Sequence, residues 1–214
     1  LPLKQLAWQW VQTRTERAEL AGAVNTIIFK TNGNVYGDNT DGIGLVRDLH
    51  NNLNIGLTDK RILIIGAGGA ARGVILPLLE HNPQEIIIVN RTAQKAKELA
   101  ELFTQYGPVS GFGFSDLPVS DYSLIINSTS SSMNNELPAL DKKHITNCEV
   151  AYDMFYSLQN TIFMNWVAQH NINAKLLDGS GMLVGQAAQA YYVWRNKMPK
   201  ILPVVNALKQ GTLK

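Results

Sequence analysis

A glycine-rich turn is the part of this sequence whose chemistry can be read most directly. Gly66-Ala67-Gly68-Gly69-Ala70 directly follows the apolar run Arg61-Ile62-Leu63-Ile64-Ile65. Glycine permits a sharp turn after a buried strand and lets the backbone approach a pyrophosphate. A helix that starts here would add unpaired N–H groups and the positive end of its dipole. The segment therefore predicts a dinucleotide phosphate site.

A second polar segment indicates which dinucleotide. Asn90-Arg91-Thr92-Ala93-Gln94-Lys95 follows the next apolar run, near the offset of about 20 residues at which such folds place the ribose-reading residue. An NAD site has Asp or Glu there, whereas this segment has two cations and no carboxylate. Arg91 can clamp a 2′-phosphate and Lys95 adds a point charge, which predicts NADP(H). The alternative is a polar helix start with Thr92 as N-cap and solvated cations.

Four polar residues elsewhere could serve a reaction at a carbonyl. Hydride transfer needs a proton donor and groups that orient the substrate. The candidates outside the predicted sheet are Lys4, Asn25, Asp41 and Gln186. Each also has an ordinary explanation: a surface lysine, a strand-edge or turn residue, a helix N-cap and a helix-surface amide. Spacing alone does not choose between these explanations.

From residue 60 onward, short apolar runs alternate with helical patterns. Strands are predicted at 61–66, 85–90, about 109–114, 123–128, 148–153 and 174–178. Helices are predicted near 69–81, 92–106 and 160–170, with a kink or local break at Pro77. This alternation predicts an α/β fold of the Rossmann type, with a doubly wound parallel sheet covered on both faces.

The two ends of the chain have a different pattern. Residues 5–22 look helical, with a second short helix that opens at Thr15. Strands at 23–29 and 35–37 flank Asn32-Gly33, which is a strong hairpin signal. Three further helices are predicted, at 41–50, 181–197 and 203–210.

Composition excludes several classes of protein. The 214 residues are 45% apolar and 17% charged, as in ordinary soluble globular proteins. A net charge of +2 gives no reason to expect a nucleic acid partner, and no apolar stretch approaches a membrane span. The single Cys148 excludes an internal disulfide and is predicted to be buried in a strand, and the histidines lack metal-ligand spacing. We therefore expect a cytoplasmic protein without a metal site.

Eight ordered motifs resemble the shikimate dehydrogenase family over essentially the whole chain. They are Leu1-Pro2-Leu3-Lys4, Ala21-Gly22-Ala23-Val24-Asn25-Thr26, Gly37-Asp38-Asn39-Thr40-Asp41-Gly42, Gly66-Ala67-Gly68-Gly69-Ala70, Asn90-Arg91-Thr92, Asn127-Ser128-Thr129-Ser130, Tyr152-Asp153-Met154-Phe155-Tyr156 and Asp178-Gly179-Ser180-Gly181-Met182-Leu183-Val184-Gly185-Gln186-Ala187.

The resemblance implies NADPH-dependent reduction of 3-dehydroshikimate to shikimate, in aromatic amino-acid biosynthesis. Lys4 matches the family's catalytic lysine, which exchanges a proton with the substrate oxygen, and Asp41 matches its partner carboxylate, which also bonds a substrate hydroxyl. Substrate-binding positions match Asn25, Tyr156 and Gln186. Cofactor-binding positions match Gly66, Ala67, Gly68, Gly69 and Ala70 at the pyrophosphate, Asn90, Arg91, Thr92 and Lys95 at the adenosine phosphate, and Thr129, Met154 and Gly179 near the nicotinamide.

The resemblance also implies two domains. The NADP-binding domain is expected at 41–178, and the remainder of a split substrate domain at 1–40 with 179–214. The two lobes would form a cleft in which Lys4 and Asp41 face the nicotinamide.

Two departures from the family pattern stand out. Ser130-Ser131-Ser132-Met133 lacks the glycine that usually follows the Asn-x-Thr stretch, so this loop is expected to differ in shape. The chain also begins at Leu1, without a methionine and without the family's upstream Ser-x-Ser lobe, so we expect a processed or truncated piece. Apolar surface in residues 5–36 would then be exposed, and dimerisation or a swapped segment would cover it.

Two alternatives remain open at this stage. One is a quinate/shikimate dehydrogenase paralogue of broader specificity, which would often accept NAD; Asn90-Arg91-Thr92 argues against it. The other is a fragment that binds NADP and turns nothing over, because its substrate lobe is incomplete.

Overall fold

A small three-stranded sheet forms the N-terminal part of the computed structural model, which describes residues 3–211; Leu1 and Pro2 of the first motif lie outside the described residues. Its elements are α1 (Leu3–Trp10), β1 (Thr13–Arg14), α2 (Glu16–Ala21), β2 (Thr26–Phe29) and β3 (Val35–Asp38). The central strand β3 pairs parallel with β1 and antiparallel with β2. Gly33 takes a φ of 82° between β2 and β3, so the hairpin prediction is confirmed.

The predicted helical stretch 5–22 contains the two expected helices, but the short strand β1, which was not predicted, separates them. Backbone N–H groups of Gln12 and Thr15 donate to the carbonyls of Val35 and Gly37, and this pairing with β3 takes the chain out of the helix. The helix predicted to open at Thr15 is confirmed, since the Thr15 side chain accepts a hydrogen bond from the Ala18 N–H. Side-chain capping of this kind satisfies one of the first free N–H groups.

The N-terminal part has a small core and a large apolar surface. Val11, Ala18, Val24 and Val35 form a buried cluster. On the outside, Leu3 and Phe29 are each 73% exposed, and Leu6 and Trp10 are also exposed. The expected exposure of apolar surface in residues 5–36 is confirmed, whereas dimerisation stays a prediction.

Residues 41–179 contain the larger sheet. Helix α3 (Asp41–Arg47) continues into one π-helical turn at Asp48–Asn52. The strands that follow are β4 (Arg61–Ile65), β5 (Glu85–Val89), β6 (Val109–Phe112), β7 (Leu124–Asn127), β8 (Val150–Asp153) and β9 (Lys175–Leu177). The helices between them are α4 (Gly69–Leu79), α5 (Ala93–Glu101) and α6 (Ile162–His170). Two helices complete the fold, α7 (Ser180–Arg195) and α8 (Leu202–Lys209).

The six strands are all parallel and lie in the order β6-β5-β4-β7-β8-β9. This is the doubly wound order, whose direction of winding reverses between β4 and β7. Ile62 through Ile65 are fully buried, and separate apolar clusters cover the two faces of the sheet. The predicted fold class and all six predicted strands are confirmed, with ends shifted by one or two residues.

Of the predicted kink or local break at Pro77, the break is wrong, because α4 continues through Pro77 to Leu79, and the kink stays a prediction. Proline lacks the N–H that would bond the Gly73 carbonyl. Gly42 of α3 packs against this place: a Cβ on Gly42 would lie 2.5 Å from both the Gly73 oxygen and Pro77 Cγ. Close packing against α3 holds α4 together at Pro77.

Cys148 is buried as predicted, at 3% exposure, but it precedes β8 rather than lying in a strand. Its position is fixed by Asn171, whose amide donates to the Cys148 carbonyl at 2.9 Å. Among residues 3–211, no group of three or more His, Cys, Asp or Glu side chains could hold a metal ion. No helix in the described part of the chain is long and apolar enough to cross a membrane.

Burial should make Cys148 unreactive in the folded protein. Desolvation raises the pKa of its thiol to about 11, so little thiolate exists at pH 8. We expect 5,5′-dithiobis(2-nitrobenzoate) to label the native protein far more slowly than the urea-unfolded protein, as measured by absorbance. Complete native labelling at the unfolded rate would contradict this placement of Cys148.

Candidate active site

A cavity of about 780 Å³ lies between the N-terminal part and the carboxyl edge of the large sheet. Residues predicted for the site line it from both sides: Lys4, Asp41, Gly68, Gly69, Ala70, Thr129, Met154, Tyr156, Gly179 and Gln186. The cavity therefore brings together residues from six separate motifs. Such a crevice beyond the carboxyl ends of the strands is where open α/β sheets bind their ligands.

Four polar side chains form one hydrogen-bonded cluster, of which Lys4, Asp41 and Gln186 line the cavity and Asn25 does not. Lys4 Nζ lies 2.7 Å from Asp41 Oδ2. Asn25 Nδ2 donates to Asp41 Oδ1 at 2.8 Å and to Gln186 Oε1 at 3.2 Å. The structure thus joins all four candidates that spacing left undecided, and the helix N-cap is Thr40 rather than Asp41.

The orientation of Asn25 is fixed by donors on its oxygen. Asn25 Oδ1 accepts hydrogen bonds from the Thr40 N–H at 3.0 Å, from Thr40 Oγ1 at 3.1 Å and from Thr26 Oγ1 at 2.9 Å. With its oxygen occupied, Asn25 must turn its NH₂ group toward Asp41 and Gln186. Thr40 and Thr26 are therefore part of the site, although sequence reasoning missed them.

Lys4 is placed by the helix that carries it. The Lys4 carbonyl accepts a hydrogen bond from the Val24 N–H at 2.9 Å, which ties α1 to the segment that carries Asn25. The Lys4 side chain is 33% exposed and that of Asp41 is 14% exposed. An ammonium held by a carboxylate at a cavity wall can donate a proton to an oxygen on which negative charge develops.

An ion pair with a buried carboxylate lies next to this cluster. Arg17 of α2 donates to both oxygens of Asp38, at 2.6 Å and 2.8 Å, and Asp38 is 2% exposed. Thr15 also donates to Asp38. This network attaches α2 to the end of β3, two residues before Thr40. Sequence reasoning missed it because nothing in the spacing relates Arg17 to Asp38.

The glycine turn has the geometry that a phosphate site needs. Gly66 takes a φ of 107°, and a Cβ there would lie 2.8 Å from Ser128 Oγ. At Gly68 and Gly69 an added Cβ would meet no atom within 4 Å, so the backbone is open to the cavity. No side chain caps the N-terminus of α4, which leaves its first N–H groups free for an anion.

The predicted adenosine-phosphate residues lie at the end of β5, outside the cavity wall. Asn90 Nδ2 donates to the Thr92 carbonyl at 3.0 Å, and Thr92 is the N-cap of α5 without a side-chain hydrogen bond. Arg91 and Lys95 are exposed, and neither forms an ion pair with another residue of 3–211. Because β5 neighbours β4, these two cations lie on the same edge of the sheet as the glycine turn.

Two loops close the other end of the cavity. Gly179 donates to the Phe155 carbonyl at 3.1 Å, and a Cβ on Gly179 would lie 2.2 Å from the Met154 oxygen. In the serine loop, residues 130–133, Ser132 Oγ donates to buried Asp153 at 2.5 Å. The turn then ends at Asn135, whose φ of 55° is the left-handed conformation that glycine usually supplies.

One arginine connects the two parts of the molecule. Arg72, in the first turn of α4, donates through Nε to the Leu20 carbonyl. Its guanidinium carbon lies 3.4 Å from the position of a Cβ on Gly22, a cavity-lining residue. Sequence reasoning missed Arg72 because an arginine in a helix is usually a solvated surface residue.

The crossing of α3 and α7 sets the distance between Asp41 and Gln186. A Cβ on Gly44 would lie 2.6 Å from the Gln186 nitrogen, and one on Gly185 would lie 2.8 Å from the Gly44 oxygen. The two helices therefore touch backbone to backbone. This contact allows Asn25 to reach Asp41 and Gln186 at once.

The doubly wound sheet, the open glycine turn and the ammonium–carboxylate cluster across one cavity are typical of a nucleotide-dependent oxidoreductase. The sequence profile of the family described as shikimate / quinate 5-dehydrogenase matches residues 48–155. Relatives that match nearly the whole chain carry the same name, so the chain belongs to the shikimate dehydrogenase family.

Two relatives and one solved structure illustrate the similarity. The shikimate dehydrogenase (NADP(+)) of Saccharophagus degradans is 45% identical over 99% of this chain and 78% of its own length. That of Psychromonas ingrahamii is 50% identical over 97% of this chain and 75% of its own length. A crystal structure of a shikimate dehydrogenase in complex with NADP+ superposes with a TM-score of 0.83 at 32% identity, covering 100% of this chain and 75% of that chain.

Substituting Gly44→Ala should force α3 and α7 apart. The new methyl group would lie 2.6 Å from the Gln186 nitrogen and 2.7 Å from the Met182 oxygen. Both are backbone atoms of α7, so they cannot move aside as the end of a flexible side chain could. Overpacking of this kind should lower the free energy of unfolding by about 1–3 kcal/mol. Urea unfolding measures this change. Gly56→Ala is the matched control, since its methyl meets no atom within 4 Å and should change stability by less than about 0.5 kcal/mol. Equal stability of the two variants would contradict the close crossing.

Proposed function

We propose that this protein is an NADP(H)-dependent shikimate dehydrogenase that reduces 3-dehydroshikimate to shikimate with NADPH, a step of aromatic amino-acid biosynthesis. The observation that carries the proposal is the hydrogen-bonded cluster of Lys4, Asp41, Asn25 and Gln186, in which Lys4, Asp41 and Gln186 line the same cavity as the open glycine turn. The relatives' names support both the reaction and the cofactor.

The residues present fit a dinucleotide phosphate cofactor. Gly66, Ala67, Gly68, Gly69 and Ala70 would form the pyrophosphate site: the Gly66 N–H donates to the Val89 carbonyl at 2.7 Å and Gly66 supplies the turn, while backbone N–H groups of the residues after it would hold the phosphates. Asn90, Arg91, Thr92 and Lys95 would hold the 2′-phosphate, and the two exposed cations without ion pairs favour NADP over NAD. Thr129, Met154 and Gly179 would contact the nicotinamide end. When bound, NADPH supplies the hydride.

Lys4 and Asp41 would carry the proton chemistry. As negative charge grows on the substrate carbonyl oxygen, the Lys4 ammonium donates a proton to it, and in the oxidation direction Lys4 accepts the proton from the hydroxyl. Asp41 holds the ammonium through the 2.7 Å contact and bonds a substrate hydroxyl. Asn25, Tyr156 and Gln186 would bind further hydroxyls, because a polyhydroxylated ring needs a polar partner for each buried group.

The same proposal divides the chain into two domains. Residues 41–178 would form the NADP-binding domain, and residues 1–40 with 179–214 would belong to the substrate domain. Two helix starts support these boundaries. Helix α3 begins at Asp41, between the last strand of the small sheet and the first strand of the large sheet, and α7 begins at Ser180, after the last strand of the large sheet.

A second candidate substrate is quinate, because the family description includes quinate as well as shikimate. Quinate carries one more hydroxyl than shikimate and has a saturated ring in place of the cyclohexene ring. Comparing kcat/KM for shikimate and quinate with each cofactor separates the two candidates. A higher kcat/KM for quinate with NAD would favour the paralogue of broader specificity.

Removing the Lys4 ammonium should abolish most of the activity. We expect Lys4→Ala to lower kcat by about 10²- to 10⁴-fold, the usual contribution of a general acid, with the Kd for NADP unchanged. The measurement is reduction of NADP by shikimate, followed at 340 nm. Lys175→Ala is the control, because Lys175 is an exposed lysine on β9, at the far edge of the sheet.

Full activity of Lys4→Ala would contradict the role of Lys4. If the unsubstituted chain binds NADP but turns over neither shikimate nor quinate, the dehydrogenase proposal fails for this chain and the binding fragment is favoured.

Removing the two phosphate-binding cations should change cofactor preference. In Arg91→Ala with Lys95→Ala, the Kd for NADP should rise about tenfold or more, because charge-assisted hydrogen bonds are lost, while the Kd for NAD should change little. Calorimetric titration measures both constants. Lys97→Ala is the matched control on the same helix, and an equal effect of that substitution on NADP binding would indicate only a general loss of positive charge.

A further inference from the structure

A buried acid lies two helical turns beyond Asp41. Asp48 is 4% exposed and begins the π-helical turn that extends α3. Its carboxylate accepts hydrogen bonds from Tyr152 Oη at 2.9 Å and from Asn52 Nδ2 at 2.9 Å. Tyr152 belongs to β8 and is fully buried. The pair therefore joins the end of α3 to the central sheet.

The same pair contacts the first turn of α7. The Met182 N–H donates to Tyr152 Oη at 3.3 Å, and this N–H has no acceptor within its own helix. A Cβ on Gly181 would lie 1.9 Å from Asp48 Oδ1, so the carboxylate sits directly against the α7 backbone. Asp48 and Tyr152 thus contact α3, β8 and α7 at one point.

Stability alone does not explain a carboxylate in this position. No Lys or Arg among the described residues forms an ion pair with Asp48; Lys209, which pairs with Asp178, acts on Asp48 only through its more distant charge. Burial raises the pKa of Asp48, and it also raises the pKa of Tyr152, which keeps the phenol protonated as a donor. Apolar side chains of similar size are often at least as stabilising as a buried charged group. A buried hydrogen bond is directional, however, and it therefore fixes the relative positions of the elements that it joins.

The contact between Asp48 and Tyr152 touches the same two helices that carry Asp41 and Gln186. Asp41 and Asp48 lie on the same helical segment, whereas Met182 and Gln186 lie one turn apart on α7 and both line the cavity. We propose that Asp48 and Tyr152 are positioning residues, which fix α7 against α3 and β8 and so place Gln186 against Asn25 and Asp41. The kinetic consequence rests on the proposed function, but the structural consequence does not.

The positioning role of Tyr152 is tested by comparing two matched variants, Tyr152→Phe and Tyr122→Phe. Tyr122 is also buried, and its hydroxyl also makes one short hydrogen bond, to the Pro118 carbonyl at 2.6 Å. It packs in the apolar cluster on the other face of the sheet and does not line the cavity. Both substitutions remove one buried hydroxyl, so both should lower Tm, and only Tyr152→Phe should affect the site.

Two readouts distinguish positioning from stability. The first is the NMR signal of the Asn25 side-chain NH₂ in the ligand-free protein, assigned by its loss in Asn25→Asp. We expect this signal to shift or broaden in Tyr152→Phe and to stay unchanged in Tyr122→Phe. The second is steady-state kinetics well below both Tm values, where Tyr152→Phe should raise the KM for shikimate about three- to tenfold with the KM for NADP unchanged. Asp48→Asn, which keeps the shape but loses one acceptor oxygen, should have the same effect in milder form.

Unchanged Asn25 signals in Tyr152→Phe would overturn the inference, as would equal effects of the two phenylalanine variants. The NMR readout needs no turnover. If the unsubstituted chain is inactive, the proposed function fails while the Asn25 signals still decide whether Asp48 and Tyr152 position the cluster.

Discussion

The backbone contact between α3 and α7 is the constraint on which the rest of the site depends. Because Gly44 and Gly185 have no side chains, the two backbones meet at the crossing. Each helix can then carry a polar group to the same place: Asp41 at the first position of α3 and Gln186 next to the contact on α7. A crossing at the usual interhelical distance of 8–10 Å, set by larger side chains, would leave Asn25 too short to bridge both. Small residues here therefore serve chemistry as much as packing.

The site is assembled from elements that are far apart in the chain, and polar contacts join several of these elements. Arg72 joins α4 to the Leu20 carbonyl, and Arg17 joins α2 to Asp38. The Arg72 contact holds the N-terminal part, which has only a small apolar core of its own, against α4, whereas the Arg17–Asp38 pair joins two elements within the N-terminal part. Because a small core buries little apolar area, directional contacts to charged groups matter more there than in the large sheet.

The parts of the fold that sequence could predict are those governed by local pattern. Continuous apolar runs such as 61–65 gave the strands, and Gly66 gave the turn, because burial on both faces and a positive φ each leave a local signature. The strand β1 escaped prediction because two residues paired with β3 have no periodicity of their own. Arg17, Arg72, Asp48 and Tyr152 escaped because their partners lie elsewhere in the chain, and only the tertiary structure brings a buried acid to a tyrosine 104 residues away.

Counting donors and acceptors supports the division of roles within the cluster. Both oxygens of Asp41 already accept a hydrogen bond, one from Lys4 and one from Asn25, so the carboxylate fixes the positions of both neighbours. An ammonium has three N–H groups, and Asp41 occupies only one of those on Lys4. The remaining donors belong to a side chain that is one-third exposed at the cavity wall. Of the two charged groups, Lys4 is therefore the one with a proton available to a ligand, whereas Asp41 determines where that proton is held.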